Sequence, residues 1–134
     1  MKRLIAVFAL ICAIFVGGQT AWAYEFETYD MEGSVGKYDV KVYLKVNTDT
    51  GRASGWYYYK SQGSKKKIQL TGTVGKLNYS NCANMTMTEK VDGKVTGTFR
   101  GEFCESARGF LFYHGTWTSP KGKKLEFDFY DMWD

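Results

Sequence analysis

Strict alternation at every second position fixes the fold class of this chain. Tyr38, Val40, Val42, Leu44 and Val46 alternate with Asp39, Lys41, Tyr43 and Lys45. Successive side chains of a strand point to opposite faces, so this pattern describes a β-strand buried on one side. Beyond residue 23, no window carries apolar residues at helical spacing for as many as three turns. Asn47-Thr48-Asp49-Thr50-Gly51 then supplies turn chemistry: Asn and Asp tolerate left-handed angles, and Gly adopts them without steric cost. The rhythm continues to the C-terminus. A second strand is expected over Ala53 to Lys60, a third around Ile68 and Leu70, a fourth around Leu77 and Tyr79, and a fifth around Met85 and Met87. A sixth is expected around Val95, Phe99 and Phe103, a seventh from Phe110 to Trp117, and an eighth through Leu125, Phe127 and Phe129. Closely spaced strands joined by short turns describe an all-β antiparallel meander of about eight strands. Tyr24 to Gly33, acidic and irregular, reads as an arm or edge segment leading into it.

Fifteen glycines, several inside strands as in Gly97-Thr98-Phe99 and Gly115-Thr116-Trp117, permit the tight bends of a barrel. Closure also removes exposed edges, so a closed or nearly closed barrel is expected, with a two-sheet β-sandwich as the alternative. The hairpin around Asp92-Gly93 can be registered. A three-residue Val91-Asp92-Gly93 loop with Gly93 in the left-handed position pairs Lys90 with Lys94. Thr88 then faces Thr96, Thr86 faces Thr98, Met87 faces Gly97 and Met85 faces Phe99, which sets threonines on one face and apolar residues on the other. Cys82 falls opposite Glu102, with Cys104 a diagonal neighbour.

The N-terminus reads as an export signal. Lys2 and Arg3 are followed by the apolar run Leu4 to Val16, and Ala21-Trp22-Ala23 has the small-x-small form of a cleavage site. The run is too short to span a bilayer as a helix. Residues 1–23 are thus expected to be a signal peptide and 24–134 a single β domain, periplasmic or secreted, with no transmembrane segment in the mature form. Cleavage would leave 111 residues with 16 basic and 14 acidic side chains. So weak a balance, with lysines clustered at two turns (Lys65 to Lys67 and Lys121 to Lys124), argues against a nucleic-acid partner. Cys12 leaves with the signal. An even pair, Cys82 and Cys104, then reads as a disulfide.

Catalytic and metal patterns are missing from the sequence. His114 is the one histidine, too little for a zinc set with two thiols, and no phosphate loop or calcium loop is present. Glu126 and Asp128 share a face opposite Leu125, Phe127 and Phe129, which makes them solvent-facing. The expectation is a protein that is not an enzyme and uses no cofactor or metal. Its notable load is aromatic: twenty aromatic residues in the 111 beyond the signal. On the second strand Trp56 and Tyr58 share one face while Tyr57 and Tyr59 share the other, so at least one pair faces solvent or a cavity. His114 alternates with Phe110 and Phe112 and would line a cavity mouth if that face were interior.

Two resemblances bear on function. The strand Gly55-Trp56-Tyr57-Tyr58-Tyr59, the hairpin Gly93-Lys94-Val95-Thr96-Gly97-Thr98 and the run Gly115-Thr116-Trp117-Thr118-Ser119-Pro120-Lys121-Gly122-Lys123-Lys124 resemble a recurring exported bacterial domain. That resemblance covers most of residues 53 to 127 and implies a lipocalin-like β fold, with no established function and no site residues. Ser54-Gly55-Trp56-Tyr57 is similar to the Ser-Gly-x-Tyr motif of periplasmic lysozyme inhibitors, whose motif loop plugs the lysozyme cleft. The sequence therefore supports a non-catalytic exported binding module for a small apolar or aromatic ligand, with a protein-binding lysozyme inhibitor as the alternative. Ser54, Trp56, Tyr57, Tyr58, Tyr59 and His114 are the candidate binding residues.

Overall fold

The computed structural model describes residues 26–131. Eight antiparallel strands follow one another as a meander: β1 (Phe26–Val35), β2 (Tyr38–Asn47), β3 (Arg52–Tyr59), β4 (Ile68–Val74), β5 (Cys82–Val91), β6 (Lys94–Glu105), β7 (Leu111–Thr118) and β8 (Lys124–Asp131). Each strand pairs with the next, and β8 pairs back onto β1 from Met31↔Asp131 to Val35↔Phe127, closing a barrel. Among the described residues no helix is long and apolar enough to cross a membrane. The proposed signal lies outside the described residues.

Two sequence expectations need correction, and they cancel in the strand count. The segment read as an irregular acidic arm or edge segment is a full strand, β1, paired on both sides, whose Tyr29, Met31 and Val35 point inward and are buried. The strand expected at Leu77 and Tyr79 is a loop with both side chains exposed. Asn78 organises this loop: its Oδ1 accepts from the backbone N–H of Ser80 at 2.8 Å and of Cys82 at 3.1 Å. A side chain that satisfies backbone donors locally competes with strand pairing. Asp131 ends β8 with its side chain buried.

The β5–β6 register also differs from the sequence reading. Asp92 (φ 52°) and Gly93 (φ 80°) form a two-residue turn with both central residues left-handed, the geometry matched to strand twist. Val91 therefore pairs with Lys94 and Lys90 with Val95. A bulge follows, and Glu89 pairs with Gly97, leaving Thr96 as the extra residue. Beyond it Thr88 faces Thr98 and Met87 faces Phe99. Beyond the bulge the slip from the expected pairing is two positions, so the residues there keep their predicted faces; at the bulge Thr96 turns to the buried Glu89 and Val95 is exposed. The slip also brings Cys82 directly opposite Cys104, with Cα atoms 4.0 Å apart and the disulfide formed.

The interior is built from alternate residues of all eight strands. Tyr57, Tyr113, Phe99 and Phe129 are its largest fully buried side chains, packed with Met31, Met85, Met87 and Leu44. Phe99 meets Tyr57 edge-on at 5.4 Å and Phe127 at 5.0 Å, the T-shaped geometry that ring quadrupoles favour. The Tyr113 hydroxyl reaches the carbonyls of Met85 (3.1 Å) and Phe99 (3.2 Å), so its polar end is satisfied within the core. Gly101 and Gly115 face each other across β6 and β7, where a Cβ on either would strike the other strand's backbone.

Removing the disulfide releases the 22-residue separation between its cysteines. A double Cys82→Ala, Cys104→Ala variant is expected to lose about 3 kcal/mol of stability in the chain-entropy account. Chemical denaturation of the variant beside the oxidised protein measures this, and equal midpoints would contradict it.

Candidate functional site

The two ends of the barrel differ in kind. At one end lie the β1–β2, β3–β4, β5–β6 and β7–β8 connections; at the other lie the β2–β3, β4–β5 and β6–β7 connections and the start of β1. This second end is hollow. A cavity of about 600 Å³ opens there to solvent, floored by Tyr29, Val46, Val74, Ala83, Phe103 and Leu111. Its volume falls within the range of small-molecule sites, roughly 300–1,000 Å³. The floor is apolar because these are the inward positions near the strand ends, and it stays open because the large rings sit deeper. Tyr29 and Phe103 meet edge-on at 5.2 Å in one wall.

The rim is polar: Glu27, Asp49, Lys76, Asn81 and Glu105 surround the opening. Tyr29 donates its hydroxyl to Glu27. The β2–β3 turn is held by Asn47, whose Oδ1 accepts from the N–H groups of Asp49 (2.9 Å) and Thr50 (3.2 Å). The β4–β5 loop carries the exposed Leu77 at the opening. That loop is tied down at its base by the disulfide and by the hydrogen bond from Glu105 N to Asn81 O at 3.0 Å. Cys104 itself contributes to the cavity lining. The arrangement can enclose an apolar group and meet polar atoms at the rim.

The opposite end is plugged around one buried carboxylate. Glu89, 4% exposed, accepts from the Tyr57 hydroxyl, from Thr96 Oγ1 at 2.7 Å and from Trp117 Nε1 at 3.2 Å. Sequence makes each contact available. The β-bulge leaves Thr96 without a cross-strand partner, and Gly97 leaves the space that the Trp117 indole fills. A buried carboxylate normally requires such donors, since an unpaired one is costly. Burial, with Glu89 close by, pushes the Tyr57 phenol far above its ordinary value, and burial does the same to Tyr113.

The six residues selected from the sequence do not converge. Tyr57 and Tyr59 face inward near the plug, with their rings 5.5 Å apart. Ser54, Trp56 and Tyr58 face outward on β3, within a strand rather than a loop. Trp56 stacks between Tyr43 (5.5 Å) and Tyr58 (6.0 Å), and Lys67 Nζ lies 4.3 Å from its ring centre. His114 is exposed on the outer face of β7, with Glu102 and Asp128 as cross-strand neighbours and the Phe112 ring 5.5 Å away. Phe112 and His114 thus share the outer side, while Leu111 and Tyr113 are interior. None of the six lines the cavity. The cavity residues carried one sequence signal that went unused: inward parity at strand ends, visible at Val46, Ala83 and Phe103.

No protein-family model matches the chain, and neither a curated protein nor a solved structure matches it.

Both raised phenols tie stability to alkaline pH. With folded values above the unfolded one, the folded state keeps these protons when the unfolded chain has released them. The contribution is complete below about pH 10, the ordinary tyrosine value, and is lost as pH rises beyond it. Each group is expected to cost up to about 1.4 kcal/mol per pH unit there. Denaturation at pH 9, 10 and 11 should show the decline, with a shallower slope in Tyr113→Phe; a flat profile would contradict it.

Proposed function

We propose that this protein is a non-catalytic, exported binding module that takes a small apolar or aromatic ligand into the open end of its barrel. The observation that carries this reading is the cavity of about 600 Å³ with its apolar floor and polar rim. Ligand sites are mostly apolar, with a few polar groups that orient what enters. The rim adds exposed Leu77, apolar surface that a bound ligand would partly cover. The disulfide supports placement in an oxidising compartment, periplasmic or extracellular, in keeping with the N-terminal sequence. A nucleophile for covalent chemistry needs a base within hydrogen-bond reach. The one histidine, His114, sits on the outer wall beside carboxylates, and both described cysteines are in the disulfide.

The test is fluorescence titration with N-phenyl-1-naphthylamine, an apolar probe that brightens on burial. Ala83 lies on the cavity floor, 4% exposed. Ala83→Trp should fill the cavity and weaken binding at least about tenfold, about 1.4 kcal/mol. Leu111→Ala, which enlarges the cavity, should retain binding and serves as the folded control if Ala83→Trp is unstable. Equal brightening by wild type and Ala83→Trp, or none by wild type, would overturn the reading. If the protein instead inhibits a c-, g- or i-type lysozyme, and Ser54→Ala abolishes this, the inhibitor reading takes its place.

A further inference from the structure

We propose a second binding site on the outer wall, distinct from the cavity: a belt of hydroxyls and cations across β3–β7 that binds an acidic oligosaccharide. The belt follows from register. Ser54, Thr71, Thr88, Thr98 and Thr118 lie directly opposite one another in sequence across the five strands, with Lys45 before the first and Lys124 after the last. One step toward the open end, Arg52, Thr73, Thr86, Arg100 and Thr116 form a parallel row. Neither five-residue row contains a carboxylate or an aromatic ring.

Threonine suits a strand on packing grounds alone, and packing would explain scattered threonines. It does not explain the arginines. Arg52 and Arg100 are exposed, and among the described residues neither has an ion-pair partner. Two outer grooves open on the rows. One of about 640 Å³ is lined by Lys45, Arg52, Ser54, Thr71 and Thr73; the other, about 240 Å³, includes Thr98, Arg100 and Thr118. Outward acids are densest on β8 and β1, as Glu126, Asp128, Asp30 and Glu32, whereas the strands β3–β7 carry Glu102 alone on their outer face, two residues from Arg100, and Glu126 stands opposite Thr116 at the end of the second row. A polyanion would therefore be drawn to one side.

The chemistry of the rows selects a sugar polymer. Hydroxyl side chains both donate and accept, which matches a polyol, and Arg offers a planar fork for carboxylate, sulfate or phosphate groups. Adjacent rungs are about 4.8 Å apart, the strand spacing, close to the repeat of an extended β-linked sugar chain. Proteins that hold single-stranded nucleic acid stack bases on open aromatic faces. Here Tyr43, Trp56 and Tyr58 lie outside the two rows, with Trp56 stacked against both tyrosines and Lys67 against its ring.

Calorimetric titration of the protein tests this with tetramers of mannuronic acid and galacturonic acid, a heparin tetrasaccharide, neutral mannotetraose and a decamer of deoxythymidylate. At least one acidic tetramer should bind about tenfold or more tighter than mannotetraose, and weaken as salt is raised. Arg52→Ala with Arg100→Ala should cost about tenfold or more in affinity at unchanged melting temperature. The acidic tetramer should not displace N-phenyl-1-naphthylamine, which separates this site from the cavity. Equal affinity for neutral and acidic tetramers, full binding by the double variant, tighter binding of the oligonucleotide, or no binding of any acidic tetramer would each overturn the proposal.

Discussion

Pairing of β8 onto β1 is the constraint on which the remaining features depend. Five residue pairs, Met31↔Asp131 to Val35↔Phe127, convert a meander with two raw edges into a closed wall. The approach is close: a Cβ on Gly33 would strike the Asp128 carbonyl, so only glycine lets the first and last strands meet there. Closure also makes the interior finite. An eight-stranded barrel has an interior just wide enough to be filled by side chains or to hold one small ligand.

This chain does both, at opposite ends. Tyr57, Phe99, Tyr113, Phe127 and Phe129 occupy the middle and the plugged end, and Glu89 collects the polar ends of Tyr57, Thr96 and Trp117 there. Smaller inward residues, Val46, Val74 and Ala83, leave the other end hollow. The disulfide stands beside that hollow end and not beside the plug, where the network of donors to Glu89 already joins β3, β5, β6 and β7. Loops whose exposed residues gain little from packing are the ones a covalent tie helps most. The outer wall is organised by the same register that builds the inside, since alternate residues of each strand form the hydroxyl and cation rows.

Much of this was legible in the sequence because period two survives errors of register. The β5–β6 pairing was misplaced by two positions, yet Met85, Met87 and Phe99 were assigned to one face and Thr86, Thr88 and Thr98 to the other, as observed; only Thr96, the extra residue of the bulge, turns inward to Glu89. The disulfide was legible from cysteine count. β1 was not, because Glu27, Asp30 and Glu32 masked the inward set Tyr29, Met31 and Val35, and Gly33 interrupts it. Leu77 and Tyr79 imitated a strand, since two alternating residues cannot report the Asn78 side chain that folds them into a loop. The cavity was invisible for a different reason: whether an inward position is filled depends on rings contributed by strands distant in sequence. Glu89 was hidden likewise, because its three donors come from β3, β6 and β7.

The central claim is that one end of the barrel is a plug and the other a receptacle. Methyl NMR of the protein titrated with N-phenyl-1-naphthylamine tests it most directly. Val46, Val74, Ala83 and Leu111 lie on the cavity floor, whereas Val35, Val40 and Ile68 lie toward the plug. The account predicts saturable shifts confined to the first group. Shifts of comparable size at Val35, Val40 and Ile68, or none at the cavity floor on saturation, would contradict it.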